Sequence, residues 1–183
     1  MIPHKILWLF LLAVLILAAS CGSGSPKNSG TPVFFDLDTF FQAEVGRMAS
    51  TRTVEKKITF NGETQERQVN DWNAEEELGG FRELHINRPA WRDQYQADSL
   101  VGPSGELTGL RYAAMDSTLR IRRVEIDWSG GAVSEVRVEK YMKNLIVFFH
   151  QTLRYKPGEG YQLWRAQKVP LRKKSEIMVE VRY

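Results

Sequence analysis

Few residues in this chain could do chemistry by themselves, and their spacing argues against most catalytic and metal-binding designs. Beyond residue 20 only His85 and His150 carry imidazoles, too few for the usual zinc sites, and no His-Glu-x-x-His pair occurs. There is no Gly-x-Ser-x-Gly elbow, phosphate loop or dinucleotide fingerprint. Acids cluster at Asp36/Asp38 and at Glu75-Glu76-Glu77, where helices should begin and carboxylates favour the free amides. Carboxylates distant in sequence can still meet in space, which keeps a hydrolase as a third reading behind two non-catalytic ones. The most distinctive non-periodic stretch is Asn87-Arg88-Pro89-Ala90-Trp91-Arg92-Asp93-Gln94-Tyr95. Trp91, flanked by Arg88 and Arg92, either stacks on a ligand or partner or plugs the core, and the usual burial of tryptophan favours the plug. Phe148 is a further contact candidate, because Leu145-Ile146-Val147-Phe148-Phe149 is apolar on both faces of its strand.

The remaining reactive group is the chain's one cysteine, Cys21. Before it, Met1 to Lys5 form a short charged start, and Ile6 to Ala19 run without a charged residue. As a helix that run is about 21 Å long, short for a hydrocarbon core about 30 Å thick. A charged start, a short apolar run and small residues after it are the marks of a signal peptide over residues 1–20. After Cys21, Gly22 to Pro32 is rich in Gly, Ser and Pro and cannot bury apolar surface, so a flexible tether is expected over 21–33.

The segment Ala18-Ala19-Ser20-Cys21 resembles a bacterial lipobox, with Ala18 at the position where leucine is usual and Leu17 one step back. That resemblance implies cleavage before Cys21, lipidation of Cys21 and three acyl chains, and two or more chains make a durable anchor. Gly22 is not the aspartate that retains some lipoproteins at the inner membrane, and the tether lacks an acidic run resembling surface-export signals. By resemblance, the expected location is the periplasmic face of the outer membrane. Further along, Phe34-Phe35-Asp36-Leu37 with Phe40-Phe41, Asp71-Trp72, and Ile86-Asn87-Arg88-Pro89-Ala90-Trp91 resemble a group of uncharacterised lipoproteins from the Bacteroidota. That resemblance implies an anchor and an envelope location, and no activity.

Removing residues 1–20 takes away Lys5 and no acid, so the formal charge falls from +3 to +2. So small a surplus suggests neither nucleic acid nor a polybasic membrane contact, and Arg172-Lys173-Lys174 reads as a solvated turn. With no cysteine beyond Cys21, the body relies on packing rather than disulfides.

The body, residues 34–183, should be one α+β domain. Phe34, Leu37, Phe41, Val45 and Met48 form one apolar stripe, predicting a helix from Asp36 to Ala49. Thr53 to Val69 reads as a hairpin turning on Asn61-Gly62, an exposed ribbon or sheet edge. A second helix is expected from an Asp71 cap to Leu84, with Gly79-Gly80 packed closely on a strand. Seven strands follow at 94–101, 107–115, 118–128, 133–142, 145–155, 161–169 and 175–183, and their short turns require antiparallel neighbours. Leu119 and Ile121 differ in parity from Val124, Ile126 and Trp128, so a bulge near Arg122-Arg123 should bend the sheet. The resulting fold is a strongly bent antiparallel meander with two helices on or in its hollow. In outline it is similar to lipoprotein carriers of the outer-membrane sorting pathway.

The leading expectation is a non-catalytic, membrane-anchored envelope lipoprotein that binds an apolar ligand or lipid in the curved sheet. The alternative is an interaction or assembly subunit with an envelope protein partner. No cofactor and no metal is expected.

Overall fold

The computed structural model describes residues 33–183. The expected signal peptide, Cys21 and the tether as far as Pro32 lie outside those residues. No described helix is long and apolar enough to cross a membrane.

The first helix, α1, spans Leu37–Arg47. Asp36 caps it, its carboxylate accepting from the Thr39 amide at 3.1 Å and the Thr39 hydroxyl at 2.8 Å; such a cap contributes about 1 kcal/mol. Leu37, Phe41 and Met48 are buried along one stripe as expected, and Glu44 is buried among them.

Strands β1 (Val54–Phe60) and β2 (Glu63–Val69) form the expected hairpin. Asn61 and Gly62 both take positive φ, 49° and 94°, the backbone that a two-residue turn between twisted strands requires. Polar β2 is the sheet edge, while β1 has its second side paired to the last strand.

The second helical segment departs from expectation. Only Ala74–Leu78 is α-helical (α2), and Gly79–Leu84 tightens into a 3-10 turn. Its cap is Asn73 rather than Asp71, the Asn73 amide oxygen accepting from the Glu75 and Glu76 amides at 2.9 and 3.4 Å. Adjacent glycines each weaken an α-helix by about 1 kcal/mol relative to alanine, and the tighter winding takes over where they occur. The glycines are not explained by close packing on a strand: a Cβ at Gly80 would meet nothing within 4 Å, and one at Gly79 would meet only Glu75.

The remaining strands are β3 (Tyr95–Val101), β4 (Leu107–Ala114), β5 (Ile121–Ser129), β6 (Ala132–Lys143), β7 (Phe148–Lys156), β8 (Gly160–Lys168) and β9 (Ser175–Arg182). They form an antiparallel meander, and β1 adds to β9, giving one open nine-stranded sheet ordered β2-β1-β9-β8-β7-β6-β5-β4-β3. The fold is therefore α+β, as the sequence predicts. The predicted bulge is present. Between β5 and β6 the register shifts from Ile121↔Lys140 to Arg123↔Glu139, so Arg122 is the extra residue. Ile121, Val124 and Ile126 consequently share one face, and all three are buried.

That inner face meets the helices. Phe41 packs edge-on against Tyr155 of β7 and Phe81 of the 3-10 turn, at 5.2 and 5.5 Å between ring centroids. Phe34 fits against Tyr95 and Tyr112. One strand begins later than expected: β7 starts at Phe148, and Leu145-Ile146 stand at the tip of the β6–β7 hairpin. The Asn144 side chain diverts the backbone there, accepting from the Ile146 and Val147 amides at 2.9 and 2.7 Å. No helix among the described residues covers Leu145 or Ile146.

Candidate functional site

Strand alternation decides which side chains share a face, and register decides which stand side by side. On the inner face, one row contains Tyr112, Val124, Val138, Leu153 and Leu163, joined by the pairings of β4 through β8. Two residues along each of β6, β7 and β8 toward the β6–β7 hairpin, and three along β5 because of the bulge, the next row contains Ile121, Lys140, Gln151 and Arg165. The row after that contains Met142, Phe149 and Gln167. Cations have replaced valine and leucine at core-facing positions, while α1 packs on the other half of the face through Tyr155.

Lys140 is half-buried, and among the described residues its ammonium makes no ion pair and no hydrogen bond. Burial holds its pKa below the ordinary lysine value. Arg165 pushes the same way, Glu83 opposes, and Arg120 and Arg88 add to the lowering. Arg165 stacks over the Phe149 ring, 5.5 Å from its centroid, and donates to the buried Gln151 side-chain oxygen at 3.3 and 3.2 Å. Arg120, just before β5, is exposed, and its backbone carbonyl accepts from the Tyr141 amide at 2.8 Å. Arg120, Lys140, Tyr141, Met142 and Phe149 line an open cleft of about 190 Å³. Its cationic groups lie against an apolar wall, and among the described residues Glu83 is the acid that opposes the lowering at Lys140. An anionic head group carried on an apolar body matches both features.

The outer face is different. Arg137 donates to Glu125, Asp127 and Glu135 at 2.8, 2.9 and 2.8 Å. Arg154 also engages Glu135, through Nε at 2.9 Å and Nη2 at 2.8 Å, and Arg111 engages Asp127. Beside this lattice stand His150, its Nε2 2.9 Å from Glu139, and the ring of Trp164, edge-on to His150 at 5.1 Å. Trp164 and Met178 help line a shallow cleft of about 470 Å³, with Arg123, Arg137 and Arg154 on its walls.

Two carboxylates lie between the helices and the sheet. Glu44 of α1 accepts from the Tyr155 hydroxyl and from Arg47. Glu77 of α2 accepts from the Tyr161 hydroxyl and from Lys56, the latter at 2.7 Å. Burial first, and then these carboxylates, push both tyrosines far above their ordinary pKa. Because Tyr155 and Tyr161 are register partners, the pair fastens both helices to one spot on the sheet.

Of the contact residues expected from sequence, the structure brings Arg88 and Trp91 together and places Phe148 elsewhere. Trp91 is half-buried in a 3-10 turn (Pro89–Trp91), tilted over Tyr95 at 6.3 Å, and Arg88 stacks on its ring at 4.6 Å. That is a plug against the core, below which the Tyr95 hydroxyl donates to the Ile121 carbonyl at 2.8 Å. Arg92 is exposed. Phe148 points to the outer face, edge-on to Tyr141 at 5.8 Å, while Phe149 takes the inner face. Sequence reading missed Lys140 and Arg165, although parity could have found them: Val136, Val138, Lys140 and Met142 alternate along β6, and Tyr161, Leu163 and Arg165 along β8. Among the described residues no group of His, Cys, Asp and Glu is placed to hold a metal ion.

No family model, curated protein or solved structure matches the chain.

Proposed function

We propose that this chain is a non-catalytic envelope lipoprotein, held to the periplasmic face of the outer membrane through lipid on Cys21. Its domain binds an anionic amphiphile with the head group at Lys140. The observation that carries this reading is the half-buried Lys140 ammonium, without a carboxylate partner, beside Arg165 and Arg120 and against Phe149 and Met142. An unpaired, partly desolvated cation is destabilising unless an anion joins it. The signal-peptide pattern and the lipobox resemblance support the anchor. The ligand site moves relative to the sequence expectation, from an apolar hollow to a cationic shelf, because α1 and the 3-10 turn fill the sheet's inner face around Tyr155 and Tyr161.

The test is titration of the purified lipoprotein with a short-chain phosphatidylglycerol below its micelle concentration, with short-chain phosphatidylcholine and inorganic phosphate in parallel. Binding of the anionic phospholipid, weakened about tenfold or more by Lys140→Met, is expected. Binding of phosphate alone with equal strength would make the ligand a free anion. Equal binding of both phospholipids, or indifference to Lys140→Met, would overturn the site. A second reading, an interaction subunit, is favoured by the Trp164–Met178 cleft on the outer face; crosslinking from a label at Trp164 in native envelopes would reveal such a partner.

A further inference from the structure

The meander places its β6–β7 and β8–β9 turns side by side. Phe148, where β7 begins, is the register partner of Lys168, where β8 ends, so both turns close at one end of the sheet. Two strand spacings separate them, roughly 10 Å. The first turn carries Leu145 and Ile146, which are 100% and 69% exposed. The second carries Leu171, also wholly exposed.

Nothing inside the fold accounts for these three side chains. Asn144 pins the first turn through two amide hydrogen bonds, so Leu145 and Ile146 are held outward rather than left to collapse onto the sheet. Leu171 sits at φ 63°, a left-handed conformation suited to Gly or Asn and strained for leucine. The residue is therefore unfavourable in water on two counts, backbone and exposure.

The charge around these tips is predominantly positive. Lys143 and Lys168 flank the turns, and Arg172, Lys173 and Lys174 follow Leu171, all of them exposed. Glu176 pairs with Lys174 and is the acid that the second turn provides. The turns at the other end of the same strands, 129–131 and 157–159, bear no exposed large apolar residue among the described ones. The β3–β4 turn at that end is flanked by exposed Leu100, Val101 and Leu107 but carries Glu106 and no cation, so the combination of cations with exposed apolar side chains distinguishes the two neighbouring hairpins. Apolar tips ringed by lysine and arginine match the interface of an anionic bilayer, where the tips enter the head-group boundary and the cations meet phosphate.

We infer that the β6–β7 and β8–β9 hairpins dock the domain on an anionic membrane surface, inserting Leu145, Ile146 and Leu171. This rests on the proposed membrane location but not on the Lys140 site. Docking would fix the domain's orientation, with the Arg120–Lys140–Phe149 cleft, which adjoins the first hairpin, held near the lipid surface.

The experiment uses the full lipoprotein reconstituted in vesicles, with single thiol labels at Ile146→Cys, Leu171→Cys or Ser129→Cys and a bilayer-buried quencher. Acyl mass on Cys21 is verified in the same sample. In phosphatidylcholine vesicles containing roughly one-third phosphatidylglycerol, labels at 146 and 171 should be quenched and the label at 129 should not. Pure phosphatidylcholine should lower the quenching at 146 and 171. Replacing Arg172 and Lys173 with glutamine should cut the docked-to-undocked ratio about 25-fold, at about fivefold per cation. Equal quenching of all three labels, or none at 146 and 171 with the acyl mass present, would overturn docking. Protection of residue 146 in native envelopes but not in vesicles of that membrane's own lipid would place a protein partner there and equally overturn it. The variant with Arg172 and Lys173 replaced by glutamine should still bind monomeric short-chain phosphatidylglycerol as the wild type does, because neither residue lines the Arg120–Lys140–Phe149 cleft, and this separates failure of docking from failure of the amphiphile site.

Discussion

The two faces of one sheet treat the same residue types in opposite ways. On the outer face, Arg111, Arg137 and Arg154 are interlocked with Glu125, Asp127 and Glu135 across β4 to β7. On the inner face, Lys140 and Arg165 stand in one cross-strand row with Gln151 between them, and among the described residues neither makes an ion pair. The lattice closes upon itself and reads as cross-strand stabilisation, in which each added partner orders groups already ordered. The shelf is left open at a cost in stability, since among the described residues no carboxylate pairs with the half-buried Lys140 ammonium. Charge alone does not mark a functional site; unfinished charge does.

Four measurements would break or sharpen that contrast. The largest effect is expected from Arg120→Gln combined with Lys140→Met, which should lower affinity for the anionic amphiphile by about 100-fold, or roughly 2.7 kcal/mol, in titration calorimetry. Next, Glu135→Ala should cost about 2 kcal/mol in urea unfolding, since it orphans Arg154 and removes one of three partners from Arg137. It should leave amphiphile binding intact; weakened binding would erase the division between the faces. Third, Lys140→Met alone should raise stability by about 1 kcal/mol, because it removes a partly desolvated cation from beside Arg165. A loss of stability would show that the shelf is completed from within.

The smallest effect is in the pH dependence of that gain. The folded-state pKa of Lys140 lies below the unfolded value, so between the two the unfolded chain holds more protons and stability rises with pH. The stability gap between Lys140→Met and the wild type should therefore narrow as pH rises toward the ordinary lysine value, about 10.4. Tyr95, raised to about 12 by burial, works the other way: its contribution is lost as pH climbs from the ordinary tyrosine range through 12. Both proteins contain Tyr95, so the difference between their unfolding curves isolates Lys140. A constant gap across alkaline pH would rule out the unpaired lysine as its origin.

The meander, its turns and the β5 bulge could be read in the sequence because each is a local signal. Asn61-Gly62 dictates a backbone, and the parity switch at Arg122 dictates a register slip. What could not be read locally went astray for identifiable reasons. The Leu145-Ile146 segment has strand composition, but Asn144 hydrogen-bonds its amides and ends the ladder. Gly79-Gly80 shortened a helix whose apolar spacing looked continuous. Arg172-Lys173-Lys174 is the exposed turn that the sequence predicts, and what only the fold reveals is which other turn lies beside it. The shelf required knowing how far α1 reaches, since parity places Lys140 and Arg165 inward without saying whether a helix covers them.

The place of β9 in the sheet bears on the order in which the molecule can assemble. It is the last strand in sequence but an interior one in space, and it alone joins β1 to β8. A chain emerging N-terminus first can close every hairpin of the meander by local contacts, yet the β1–β2 ribbon has no sheet to join until β9 arrives. The final pairing spans more than a hundred residues, so completion of the sheet is the step most sensitive to changes in Ile177, Val179 and Val181. Substitutions there should slow folding, whereas changes on the β6–β7 tip should leave the rate untouched.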